Sequence, residues 1–122
     1  MTIKTISWFV GGYIQATPHE GADRFGAGRT FIADGDYFPR AMRIYLDSAP
    51  YDRPVVVDVQ DDGVSIFTAK PQVDKGTVFK EHDSFRDTGE SKIEELSVLT
   101  LDIPHSGQDA RNLTVELDLE EI

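Results

Sequence analysis

The sequence predicts an all-β fold, an antiparallel β-sandwich of jelly-roll type with about eight strands. Three observations support this prediction: apolar and polar residues alternate with a period of two, helical periodicity is hard to find, and turn residues separate the alternating runs. With 122 residues, of which 39% are hydrophobic and 28% charged, the chain has the length and composition of one globular domain. We therefore expect a single sandwich over residues 1–122.

Each predicted strand is an alternating run, because successive side chains of a strand leave opposite faces of the sheet. The clearest run is the last, where Leu or Val occupies every second position from Leu113 to Leu119 and Thr, Glu or Asp stands between them. In chain order, the predicted strands are residues 3–10, 29–33, 42–47, 55–60, 64–68, 77–80, 99–103 and 113–120.

The segments between these runs have the composition of turns. Asp62-Gly63 lies between two runs and supplies the two positive φ angles that a type I′ hairpin requires, so we expect a tight hairpin there. Residues 49–54 contain two prolines and predict a rigid connection between strands. Residues 16–28 are the longest irregular segment, and a loop of this length in a small domain is usually functional.

The charge balance excludes several classes of function. The chain has 22 acidic and 12 basic residues, a net charge of −10, so we expect neither a nucleic-acid partner nor an anionic membrane as partner. The acidic excess falls on residues 58–122, which hold 16 acids and 6 bases, whereas residues 1–57 hold 6 of each. Cysteine is absent, which excludes disulfides, thiolate metal sites and a cysteine nucleophile.

No sequence pattern indicates catalysis, so we expect no enzyme, no catalytic residue and no cofactor. The three histidines, His19, His82 and His105, are far apart and lack the spacing of metal ligands. The glycine-rich residues 21–29 lack the Lys-Ser/Thr pair and the following helix of a phosphate-binding loop.

Calcium binding remains an alternative at the level of sequence. Residues 58–63 are weakly similar to a calcium loop, but the predicted hairpin explains them without a metal. A looser site between loops that uses Asp34, Asp36 or Asp109 stays open.

Aromatic residues are concentrated in the first third of the chain. Rings there can belong to the core, to a subunit or partner interface, or to a surface that stacks on sugars. All three interpretations stay open for these residues, which are Trp8, Phe9, Tyr13, Phe25, Phe31, Tyr37 and Phe38.

From residue 42 onward the chain resembles a small β-sandwich module of tailed-bacteriophage virion structural proteins, while residues 1–41 lie outside the resemblance. The similarity rests on the order of four segments: Arg43-Ile-Tyr-Leu-Asp-Ser-Ala-Pro50, Pro54-Val-Val-Val-Asp-Val-Gln-Asp-Asp-Gly-Val-Ser-Ile-Phe67, Ser97-Val-Leu-Thr-Leu-Asp-Ile103 and Asn112-Leu-Thr-Val-Glu-Leu117. The resemblance implies a non-enzymatic part of the virion, in the head, the tail fibre or the baseplate.

Together these observations favour a capsid decoration or head surface protein that binds the particle as a homo-oligomer, with a trimer favoured and the major capsid or tail proteins as partners. The alternative is a tail-fibre or baseplate receptor module that binds a host surface glycan. Residues 1–41 are the expected attachment side, and residues 42–122 the sandwich core. The predicted contact residues are Trp8, Phe9, Arg24, Phe25, Arg29, Tyr51 and Arg53.

Overall fold

The protein forms two antiparallel β-sheets in a computed structural model that describes residues 2–15, 27–86 and 92–122, with only the backbone of residues 27–29. Within those ranges the strands are β1 (Ile3–Tyr13), β2 (Ala27–Ile32), β3 (Tyr37–Tyr45), β4 (Val55–Asp61), β5 (Val64–Ser65), β6 (Gln72–Val73), β7 (Phe79–His82), β8 (Val98–His105) and β9 (Arg111–Glu121). In this described part of the chain we find no helix that is long and apolar enough to cross a membrane.

The strand order is that of a jelly roll. Sheet A has the order β1-β9-β3-β7, and sheet B has the order β2-β8-β4-β5, with β6 pairing with β4 as well. When β5 and β6 are taken as one interrupted strand, the chain crosses between the sheets at every connection except the β4–β5 hairpin. This is the eight-stranded double-sheet arrangement. The predicted fold class is therefore confirmed.

The core lies between the two sheets and consists of the inward side chains of each alternating run. Strand β9 shows this best, since its leucines and valine are fully buried while the residues between them are half-buried on the outer face. The facing layer from sheet B comes from Val55, Val57, Val59, Leu99, Leu101 and Ile103. Strand β1 belongs to sheet A and β2 to sheet B, so the described residues before Met42 are part of the same sandwich.

The β4–β5 connection is the predicted type I′ hairpin. Asp62 has φ 49° and Gly63 has φ 88°, the two positive values that this turn requires. The register that it sets pairs Asp61 with Val64.

Several strand boundaries differ from the prediction, most of all those of β3 and of the run after the hairpin. Strand β3 begins at Tyr37, five residues early, and includes Pro39, which normally argues against an inner strand. Among the described residues, strand β7 pairs only with Met42–Tyr45, so Pro39 lies outside that pairing, beside a register shift between Pro39 and Ala41. The run predicted over residues 64–68 ends as a strand at Ser65, and β6 follows.

Trp8, one of the predicted contact residues, lies in the core of the sandwich. Its side chain is 1% exposed and meets the ring of Phe31 edge to face at 5.1 Å between centroids. The neighbouring Phe9 is 61% exposed, because adjacent residues of β1 point to opposite faces of sheet A.

This pair gives a direct test of the orientation of β1. We expect Trp8→Ala to lower the free energy of unfolding by about 3–5 kcal/mol, because it leaves a large cavity in the core. We expect the matched control Phe9→Ala to change it by less than about 0.5 kcal/mol, as is usual for surface positions. Urea unfolding of both variants measures the difference. Equal losses would contradict this assignment of faces, and a larger loss for Phe9→Ala would mean that β1 has the opposite face inward.

Candidate functional site

A row of exposed aromatic side chains crosses the outer face of sheet A. The register places Phe9 of β1 opposite Thr114 of β9, Thr114 opposite Tyr45 of β3, and Tyr45 opposite Phe79 of β7. All four side chains leave the same face, because directly paired residues of neighbouring strands point to the same side of a sheet. We name Phe9, Thr114, Tyr45 and Phe79 the aromatic row.

The rings of the aromatic row remain open to solvent. Phe9 is 61% exposed, Phe79 46% and Tyr45 39%. The Phe9 ring leans over Gly11, where an added Cβ would lie 3.4 Å from its Cε1 atom. Tyr45 and Phe79 pack against each other with ring centroids 5.0 Å apart and a tilt of 49°.

An ion-pair network lies beside the aromatic row, towards the middle of the sheet. Arg43 donates two hydrogen bonds to the carboxylate of Asp118, at 2.8 and 2.9 Å, and a third to Glu116 at 3.2 Å. The Thr5 hydroxyl also donates to Asp118, at 2.7 Å. The Arg43 guanidinium holds the pKa of Asp118 below its usual value, and the hydrogen bond to Asp118 raises the pKa of Arg43. The network thus joins β1, β9 and β3.

On the other side, towards the end of the sandwich, Asn112 holds the backbone in place. Asn112 has a positive φ of 53°; its side-chain oxygen accepts a hydrogen bond from the Gly12 N–H at 2.7 Å, and its amide donates to Asp47 at 2.8 Å. Tyr13 and Arg111 are the next cross-strand pair, with the guanidinium over the ring at 5.6 Å. The aromatic row is therefore bordered by polar groups on both sides.

The same end of the sandwich carries a loop at residues 50–54, which we name the pinned loop. The Tyr51 N–H donates to the Gln108 carbonyl at 2.8 Å, and the Gln108 N–H donates to the Asp52 carboxylate at 2.7 Å. This hydrogen bond is the main reason that the pKa of Asp52 is lowered. The Pro50 carbonyl accepts from the Gly76 N–H at 2.9 Å. Held in this way, the loop presents Tyr51, 75% exposed, and the Arg53 side chain, 67% exposed.

The structure brings together only part of the predicted contact set. Tyr51 and Arg53 share the pinned loop, and Phe9 lies in the aromatic row on the adjoining sheet face. Arg24 and Phe25 lie outside the described residues, and of Arg29 only the backbone is described. Sequence reasoning missed Tyr45 and Phe79. The only indication in the sequence was that each is an aromatic residue at a position where the alternating run calls for a polar one.

The aspartates considered for calcium do not converge. Asp34 and Asp36 lie between β2 and β3, whereas Asp109 precedes β9 at the opposite end of the sandwich. Asp34 accepts hydrogen bonds from Lys4 at 2.7 Å and from Tyr37 at 2.5 Å. These lower the pKa of Asp34, and the bond to Asp34 raises the pKa of Tyr37 to about 12. In the described ranges, no group of three or more His, Asp or Glu side chains could hold a metal ion.

In comparisons with known proteins, no family model and no curated protein matches the chain.

Gly107 controls the geometry of the pinned loop. An added Cβ there would collide with the Arg53 carbonyl oxygen and lie 2.5 Å from Pro50 Cβ. We expect Gly107→Ala to lower the free energy of unfolding by about 1–3 kcal/mol, because the two segments must move apart. The control is Gly35→Ala, whose Cβ would make ordinary contacts at 3.6 Å with the Tyr37 side chain. Thermal and urea unfolding compare the two, and a Gly107→Ala protein as stable as the control would contradict this close packing.

The Arg43 network predicts a specific dependence of stability on pH. The pKa of Asp118 is lower in the folded protein than in the unfolded chain, so its contribution is present above about pH 4 and is lost as the pH falls through the folded pKa. We expect Arg43→Met to lower the free energy of unfolding at pH 7 by about 1–3 kcal/mol. We also expect that variant to lose less stability than the unsubstituted protein on acidification.

Urea unfolding at several pH values between 7 and 3 tests this expectation. The matched control is Arg53→Met, since Arg53 is exposed and lies 3.6 Å from its only described ion-pair partner, Asp52. Parallel pH profiles for Arg43→Met and the unsubstituted protein would mean that Arg43 does not set the acid response.

Proposed function

We propose that the protein is a non-enzymatic structural protein of a bacteriophage virion, namely a capsid decoration or head surface protein that attaches as an oligomer through the pinned-loop end of the sandwich. The observation that carries this proposal is the presentation of Tyr51 and Arg53 on a short loop fixed at three points by hydrogen bonds. The location in a virion rests on the resemblance of residues 42–122 to phage structural modules.

A fixed loop favours binding to a partner surface. Tyr, Trp and Arg are enriched among the residues that dominate protein interfaces. A side chain on an ordered loop loses less conformational freedom on binding than one on a mobile loop. The Tyr13–Arg111 pair at the same end extends this surface with a second aromatic ring and a second guanidinium.

The fold is compatible with this function without requiring it. Double-sheet jelly rolls form viral capsid domains and lectin domains alike, so the architecture supports a passive building block as well as a sugar-binding protein. Because fold does not determine function, the proposal depends on the exposed residues of the pinned loop.

The opposite end of the sandwich has a different surface chemistry, which suits a face turned to solvent. Exposed carboxylates from three connections lie there. The Glu95 N–H donates to the Asp36 carboxylate, and the Asp62 N–H donates to the Val98 carbonyl. We name this group the acidic end; it comprises Asp34, Asp36, Asp62, Glu94 and Glu95. Like charges on the outside of neighbouring particles repel one another, which keeps the particles dispersed.

The test combines native mass in solution with binding to phage particles. We expect the purified protein to have the mass of an oligomer, with a trimer favoured, and to sediment with expanded capsids of the phage that carries its gene. We expect the double variant Tyr51→Ala, Arg53→Glu to weaken binding at least about 30-fold, about 2 kcal/mol, as is typical of interface hot spots.

The control is Leu96→Ser at the far end, a residue 74% exposed, which should bind like the unsubstituted protein. A stable monomer that binds neither capsids nor tails would overturn the proposal. Binding to tails alone would overturn the assignment to the head.

A further inference from the structure

We propose that the aromatic row on sheet A is a binding platform for a neutral pyranose oligosaccharide. This inference goes beyond the attachment function, because it concerns the outer face of sheet A and not the pinned loop. It gives a defined site to the receptor-module alternative that the sequence left open.

The chemistry of the rings fits a sugar. A pyranose has an apolar face of C–H groups, which stacks on the flat face of an aromatic ring while its hydroxyls remain hydrated. The Phe9 ring leans over Gly11, which has no side chain to lift it, and it is the most exposed ring of the row. Tyr45 and Phe79 form a second stacking surface two strands away.

The size of the aromatic row argues against a protein as its occupant. Four strands spaced about 4.8 Å apart give a row about 14 Å long, and one outward position occupies about 7 Å along a strand. The strip thus covers about 100 Å². A stable protein interface buries roughly 800 Å² on each partner, so a protein partner would have to cover the neighbouring polar rows as well.

Those neighbouring rows suit hydroxyl groups better than a protein surface. The row on one side consists of Ser7, Glu116, Arg43 and Glu81, in which Arg43 donates a hydrogen bond to Glu116. Asp47 and Asn112 lie on the other side. Carboxylates and amides accept hydrogen bonds from sugar hydroxyls, whereas the centre of a protein interface is depleted of charge. The net charge of −10 disfavours anionic sugars, so the ligand is a neutral one.

The spacing of the rings points to a chain of sugars rather than a single one. Thr114 separates Phe9 from Tyr45, so these rings lie two strands, about 10 Å, apart across the sheet. One pyranose cannot stack on both. A linear oligosaccharide laid across the strands can place one sugar on Phe9 and another on the Tyr45–Phe79 pair.

The test is calorimetric titration of the full chain with neutral gluco-, manno- and galacto-oligosaccharides of one to six units. We expect at least one series to bind, with affinity rising at least tenfold from the monosaccharide to the longer members. Each of Phe9→Ala and Phe79→Ala should weaken binding about tenfold, about 1.4 kcal/mol, as expected if a ring buries roughly 55 Å².

Matched controls separate this proposal from the attachment function. Tyr51→Ala removes an even more exposed ring, which lies outside the row, and should leave sugar binding unchanged. Phe9→Ala and Phe79→Ala should leave capsid binding unchanged. The proposal would be overturned if none of the neutral oligosaccharide series bound. It would also be overturned if anionic polysaccharides bound as tightly as the neutral ones. A change of native mass in the row variants without sugar binding would show instead that the row contacts another protein copy.

Discussion

Strand β9 pairs with β1 along one side and with β3 along the other, and the register of this strand determines the rest of the structure. Its leucines and valine fill the core beneath sheet A, while Thr114, Glu116 and Asp118 on its outer side set the rows that cross the sheet. A slip of one residue would turn every one of these side chains to the opposite face, exposing the leucines and burying the carboxylates. The hydrophobic effect on the inner face therefore also determines which side chains of β9 lie on the outer face.

The Arg43 network adds a second constraint on the same register. A guanidinium that forms two parallel hydrogen bonds with a carboxylate requires a specific relative position of the two strands. Arg43 makes this contact with Asp118, and the Thr5 hydroxyl reaches the same carboxylate from β1. An ion pair on a half-exposed face contributes modestly to stability, but its geometry is selective for one register of the two strands. The aromatic row lies directly beside this network, so its rings are attached to a well-defined part of the sheet.

The fold was predictable because alternation is a local signal that each strand carries by itself. The Asp62-Gly63 hairpin was equally local, since two residues determine its backbone angles. The aromatic row was not predictable, because Phe9, Tyr45 and Phe79 become neighbours only through pairings between distant strands. Trp8 was predicted as a contact residue, with the core left open, because aromatic residues were weighed without regard to the face on which they lie. Its position two residues after the apolar Ile6, in an alternating run, already indicated the core.

The two proposed surfaces are compatible because they face in different directions. Tyr45 ends β3, and the chain then leaves the sheet to form the pinned loop, so the loop closes the end of the sandwich while the aromatic row lies on its side. A partner that contacts Tyr51 and Arg53 approaches along the strand direction, whereas a sugar on Phe9 approaches perpendicular to the sheet. Attachment by the end thus leaves the side of sheet A open to solvent. A jelly roll fixed to a particle in this orientation can display a sugar-binding face without any change in the fold.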